Sequence, residues 1–192
     1  MLKNNIFIPY TFDLLKNKSI NYYYISILYD FADYNEETKC FDTIKYNSLN
    51  DLAFKTKINI TTLRRLLNNI EYSYYFTHDN VNRNIKLKTG IPFIKLSRAE
   101  LDIIYKCEEL QNKLALKMYL YIKCACGISE TGTADFTSEQ LCNSIGYCAN
   151  SGDTRNRIKY YRDILVDNGL IKVEHYRQNS KNRIKYNATF VK

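Results

Sequence analysis

Apolar positions along the chain switch repeatedly between a period of two and a period near 3.6, and each switch marks an element. Ile6-Phe7-Ile8-Pro9 begins as a short strand, and Phe12, Leu14 and Leu15 lead into a first helical turn. Tyr24, Ile27, Leu28 and Phe31 follow the i, i+3, i+4, i+7 spacing of a helix with one core face, predicted from Ile20 to Ala32. A polar loop from Asn35 to Lys39 precedes an alternating strand from Phe41 to Tyr46. Ser48 to Asp51 then opens a helix with Leu49, Leu52 and Phe54 as buried candidates, the Asp favouring the positive end of its dipole. After a turn at Lys57 to Asn59, Thr61 to Ile70 reads as a second helix. Leu63, Leu66, Leu67 and Ile70 point inward, and Thr61, Arg64, Arg65, Asn68 and Asn69 outward. Tyr72 to Thr77 and Arg83 to Lys88 pair as a hairpin across Asp79-Asn80-Val81-Asn82.

The second half restates the first. Gly90-Ile91-Pro92 is a short linker, and Phe93-Ile94-Lys95-Leu96 repeats the opening strand. Ser97-Arg98-Ala99-Glu100 is a capping box, in which the Ser hydroxyl and the Glu carboxylate each satisfy an orphan backbone N–H at a helix start. Leu114 to Cys124 corresponds to Tyr22 to Ala32, and Ala134 to Phe136 is the next strand. Thr137-Ser138-Glu139-Gln140 opens a short helix burying Leu141 and Ile145. Cys148 to Gly152 is a break, and Asp153 or Thr154 caps the next helix. There Ile158, Tyr161 and Leu165 form one buried stripe, with Arg155, Lys159 and Arg162 on a wet, cationic face. Asp167-Asn168-Gly169 is a helix stop. Leu170 to Tyr176 and Arg183 to Val191 make a hairpin across Asn179 to Asn182, with Ile184, Tyr186 and Ala188 on alternate positions. Two copies of one unit, each a helix-turn-helix followed by a wing, predict an α+β, mainly α chain of two tandem winged-helix domains, residues 1–90 and 91–192.

Charge sharpens the picture because it is segregated. The chain carries a formal net charge of +8, yet residues 155–192 alone hold ten Lys or Arg against three acids, and residues 55–88 hold seven against two. A face that neutralises phosphates is localised in this way, on a recognition helix and its wing. The candidate DNA-binding residues are Thr61, Thr62, Arg64, Arg65, Asn68, Arg83, Lys86 and Lys88 in the first copy. In the second they are Arg155, Asn156, Lys159, Arg162, Arg177, Lys181, Arg183 and Lys185. The second copy, with the larger excess, is expected to supply most of the affinity.

Cys40, Cys107, Cys124, Cys126, Cys142 and Cys148 show no paired CxxC spacing, and His78 and His175 are the only histidines. No metal and no cofactor are expected; the alternative is Cys124-x-Cys126 with Cys142 or Cys148 as a metal or redox sensor. There is no Gly-rich phosphate loop, no HExxH and no nucleophile motif beside a His, so no enzyme is expected. Tyr160-Tyr161 and Tyr22-Tyr23-Tyr24 read as core and interface aromatics rather than strand-cleaving tyrosines. With no apolar stretch of membrane-spanning length and no signal layout, the expected location is the cytoplasm.

The run Ile164 to Glu174, with Asp167-Asn168-Gly169-Leu170-Ile171 at its centre, resembles the helix exit of winged-helix proteins. The opening Phe93-Ile94-Lys95-Leu96 and the tandem layout are similar to plasmid replication initiators and phage replisome organisers. That resemblance implies binding to direct repeats in double-stranded DNA at an origin, a homodimer formed through one winged helix, and recruitment of host replication proteins. The first copy departs from it, with Asn68-Asn69-Ile70-Glu71 where the Gly-Leu-Ile exit would stand. Two alternatives stay open: a transcriptional regulator of a mobile element, and a winged-helix scaffold for protein partners.

Overall fold

A computed structural model describes residues 3–37, 40–89, 92–179 and 181–188. Among these the chain is an α+β fold of eight α-helices and three small sheets. In order the elements are β1 (Asn5–Pro9), α1 (Phe12–Lys16), α2 (Tyr22–Phe31), β2 (Asp33–Asn35), β3 (Cys40–Lys45), α3 (Leu49–Thr56), α4 (Ile60–Asn68), β4 (Phe76–Asp79) and β5 (Asn84–Leu87). They continue as β6 (Phe93–Ser97), α5 (Arg98–Lys106), α6 (Lys113–Ile128), β7 (Thr133–Phe136), α7 (Ser138–Ser144), α8 (Gly152–Asp167), β8 (Ile171–Gln178) and β9 (Lys181–Ala188). The expected linker residues Gly90 and Ile91 lie outside the described residues.

The chain forms two compact units, and they follow a different partition from the expected division after residue 90. Met1–Pro9 and Tyr24–Lys95 make the first unit; Tyr10–Tyr23 and Leu96–Lys192 make the second. Helix α1 therefore belongs with the second unit. Gly146 shows how closely it packs there: φ is +81°, and a Cβ at this position would stand 2.0 Å from the Lys16 carbonyl oxygen.

Each unit orders its strands alike. In the first, β1 pairs with β6 and a four-stranded sheet runs β2-β3-β5-β4; in the second, the sheet runs β7-β9-β8. In both, the strand before the helix pair adds to the last strand of the hairpin, not the first. Side chains cap the helices as their sequences demand. Ser48 accepts from the Asp51 N–H at 3.1 Å and Asn59 from the Thr61 N–H at 2.9 Å, while Ser97 and Thr137 close both halves of their capping boxes. Lys57, at φ +56°, turns the chain between α3 and α4. The Tyr29 hydroxyl donates to the carbonyls of Tyr75 and Lys88, both at 2.9 Å, and ties α2 to the hairpin base.

Several expectations shift. Helix α2 runs from Tyr22 to Phe31; of the predicted stripe, Ile27 and Leu28 are buried and Tyr24 is half-buried, whereas Phe31 is exposed, and Ile25 and Tyr29 are buried beside them. Phe54 is 86% exposed because it lies about 200° around α3 from buried Leu52. Ile70 is 82% exposed because α4 stops at Asn68, and Asn69 then caps a 3₁₀ turn at Ile70–Tyr72 by accepting from the Glu71 N–H at 2.9 Å. That turn replaces the first residues of the expected strand from Tyr72. Ser151, not Asp153 or Thr154, caps α8. A short strand β2 at the sheet edge was not expected; it takes in only Asn35 of the expected polar loop, whose last residues, Thr38 and Lys39, lie outside the described residues. The second hairpin turns more tightly than expected, between Gln178 and Lys181, with Asn179 at φ +49°.

Gly146→Ala combines a left-handed backbone, worth about 1 kcal/mol, with overpacking of about 1–3 kcal/mol. Thermal or denaturant unfolding of this variant is expected to show a loss of at least about 2 kcal/mol. Wild-type stability would show that α1 is not packed against Gly146.

Candidate nucleic-acid interface

In the first unit, α4 buries Leu63, Leu66 and Leu67, which leaves Thr61, Arg64, Arg65 and Asn68 exposed on one stripe, with Thr62 half-buried beside it. Spacings of three, four and seven residues keep those side chains on one side of the helix. Arg64 and Arg65 form no ion pair among the described residues. The hairpin beside α4 is locked at its tip by Asp79, whose carboxylate accepts from the backbone N–H of Val81 and Asn82, each at 3.0 Å, and from the Asn82 amide at 2.6 Å. Those bonds hold the Asp79 carboxyl below its ordinary pKa, the Asn82 bonds foremost. Arg83 is exposed with φ +50°, and its guanidinium donates to the Asn47 carbonyl at 2.8 Å, next to the cap of α3. Lys86 is exposed on β5 between Thr43 and Thr77, with no acid opposite. Lys88 follows with an exposed side chain. One residue pair from the hairpin turn, Tyr46 and His78 share a 2.7 Å hydrogen bond, and burial holds the imidazole pKa below its ordinary value against the opposing charge of Asp79.

In the second unit, α8 exposes Arg155, Asn156 and Lys159, whereas Ile158, Tyr161 and Leu165 are buried. Arg162 departs from the expected wet face. It is 8% exposed, and its Nε and guanidinium NH₂ donate to Asp163 at 3.2 and 3.0 Å. Four residues on a helix is about 40° beyond one full turn, so Arg162 falls beside Ile158 at the edge of the core stripe. There it acts on Tyr186, opposing the burial that pushes the Tyr186 phenol up to about 12. Arg162 is therefore a structural residue and leaves the candidate set.

On the second hairpin, Arg177 and Lys181 are exposed, while Arg183 and Lys185 are half-buried. Lys185 sits in register between Asp135 of β7 and Glu174 of β8, and Arg183 donates to the Asp135 carbonyl at 3.4 Å. Two acids thus temper the charge of this sheet face near its base, and the free cations lie toward the tip. With Arg162 withdrawn and Lys185 opposed, the expected advantage of the second unit over the first narrows.

Two cations join the interfaces without having been expected there. Lys45 shares the sheet face of Lys86, and the alternation Thr43, Lys45 in β3 carried that signal. Lys172 shares the sheet face of Lys185, two residues from Glu174 on β8. Among the described residues no group of three or more His, Cys, Asp or Glu side chains is placed to hold a metal ion, and no helix is long and apolar enough to cross a membrane. Comparison of the chain with protein-family models, curated proteins and solved structures found no match.

The two cationic positions on α8 are expected to separate in unfolding measurements. Arg162→Ala loses charge-assisted hydrogen bonds and buried packing, at a cost of about 1–3 kcal/mol. Lys159→Ala, fully in water, changes stability by less than about 0.5 kcal/mol. Equal, small effects would return Arg162 to the exposed face.

Proposed function

We propose that the chain is a sequence-specific double-stranded DNA-binding protein built from two winged-helix modules, acting by binding rather than by catalysis. One observation carries this reading. Apart from the added edge strand β2 in the first copy, the order helix, strand, helix, helix, hairpin occurs twice with the same pairing of that strand to the hairpin, and each time the last helix turns a polar, cationic stripe to solvent, followed by a hairpin bearing exposed cations. A helix of that kind fits the major groove. Arg and Asn are the side chains that bond guanine and adenine edges, and hairpin cations meet phosphates. Arg64, Arg65 and Asn68 take the base-reading role in the first module, and Arg155, Asn156 and Lys159 in the second. Lys86 and Lys88, and Arg177 and Lys181, take the phosphate role.

Within that reading, the resemblance in the second copy favours a replication initiator or origin-binding accessory factor of a plasmid or phage, acting on direct repeats. Footprinting on the DNA that carries this reading frame separates the roles, since iterated protected sites fit an initiator and a single protected promoter fits a regulator. A protein-contact role for the first module has its own support. Phe54 of α3 and Ile70, just after α4, stand almost fully in water, where a second copy of the chain or a host replication protein would cover apolar surface.

Duplex affinity measured by fluorescence anisotropy is expected to fall steeply with salt, log K against log salt having a slope of about −0.9 per phosphate neutralised. Arg64→Ala with Arg65→Ala and Arg155→Ala with Lys159→Ala are each expected to relax base preference, at about 1–3 kcal/mol per lost base contact. Lys181→Ala lowers affinity for all sequences alike and flattens the slope by about 1. Affinity independent of salt, or no binding to any duplex, would sink the proposal.

A further inference from the structure

Lys117, in α6 of the second unit, is a buried cation without a counter-ion. The side chain is 0% exposed, and its Nζ donates to the Asn17 carbonyl at 2.6 Å. An ammonium has three donors, and a buried charge is ordinarily paired. No carboxylate among the described residues lies within ion-pair distance of Lys117. The charges that reach it are of its own sign: burial first, then Lys113 and Lys18, push it down to about 8.

The surroundings of Lys117 collect cations from several elements of the same unit. Lys18, just after α1, places its Nζ 5.5 Å from the Tyr147 ring centroid, and Lys117 stands 5.8 Å from the same centroid. Arg157 of α8 also acts on the Tyr147 phenol, opposing the burial that raises it. Lys113 opens α6, whose first turn carries the positive end of a 16-residue helix. The acid carried by α1, Asp13, is exposed and pairs with Lys16 at 3.6 Å. The absence of a side chain at Gly146 lets α1 approach closely enough to deliver Asn17 and Lys18.

We propose that this cluster is a phosphate seat on the second unit, with Lys18 and Lys113 touching the anion at the surface and Lys117 supplying positive charge from beneath. It is distinct from the polar stripe of α8, because Arg157 lies about 200° around that helix from both Arg155 and Lys159. A phosphate group suits it better than a carboxylate, since a second negative charge answers more of the like-charge repulsion among the lysines. The phosphate belongs either to a DNA backbone, in which case the inference rests on the duplex-binding proposal, or to a free phosphate-bearing molecule, in which case it does not.

The test uses the full chain. Its melting temperature is measured in inorganic phosphate and in sodium chloride of matched ionic strength, for the parent, for Lys18→Gln with Lys113→Gln, and for Arg155→Ala with Lys159→Ala. Phosphate is expected to raise the midpoint of the parent and of the Arg155/Lys159 variant, but not that of the Lys18/Lys113 variant. In a second arm, duplex affinity of the Lys18/Lys113 variant falls about three- to tenfold with unchanged sequence preference if the source is the DNA backbone. It stays unchanged if the source is a free phosphate. A parent that binds no duplex yet keeps its phosphate shift removes the DNA reading and leaves the seat standing. No phosphate-specific shift in the parent, or an equal shift in the Lys18/Lys113 variant, overturns the proposal.

Discussion

Leu63, Leu66 and Leu67 in one unit, and Ile158, Tyr161 and Leu165 in the other, rotate a helix so that its remaining side faces water. Burying each such side chain stabilises the fold by about 1.5–3 kcal/mol, far more than any exposed charge contributes. The orientation of the polar stripe is therefore set from the core side. Thr61, Arg64, Arg65 and Asn68 are presented together because three leucines leave them no other direction, and Arg155 with Lys159 obeys the same logic. The hairpins are placed by the sheet, where the strand before the helix pair adds to the last hairpin strand in both units and leaves the first hairpin strand at the edge.

Buried polar groups divide into two kinds in the second unit. Glu100 is 1% exposed and fully answered: it accepts from the Ser97 N–H at 2.7 Å, from the Ser97 hydroxyl at 2.8 Å, and from Tyr119 and Lys123. Burial works to raise its carboxyl, yet the bonds from Lys123 and Tyr119 outweigh it and hold the group below the ordinary range. A satisfied network of this kind rigidifies the join between α5 and α6. Lys117, two residues from Tyr119 on the same helix, has one carbonyl and like-charged neighbours. The contrast fits a structural role for the first and the proposed anion seat for the second.

Element types and order were legible in the sequence because caps and periods are local. Ser48, Ser97 and Thr137 announce their helices within four residues, and the inward set Ile184, Tyr186 and Ala188 comes from alternation alone. Side-chain exposure was less legible where a helix ends or two periods compete. Ile70 fits the α4 stripe by spacing and leaves it because Asn69 starts a 3₁₀ turn; Arg162 fits a cationic face and a core edge at once, and the nearby Tyr186 and Asp163 decide it. The opposition of Lys185 by Asp135 and Glu174 depends on strand register, and the grouping of α1 with residues far along the chain depends on tertiary packing. No local pattern carries either.

Selection of bound sequences from a random duplex library, with the full chain as bait, tests the central claim most directly. The account predicts an enriched site with two blocks of preferred bases, one block losing its preference with Arg64→Ala and Arg65→Ala and the other with Arg155→Ala and Lys159→Ala. A library that emerges without enrichment, or an enriched site indifferent to both pairs of substitutions, would contradict it.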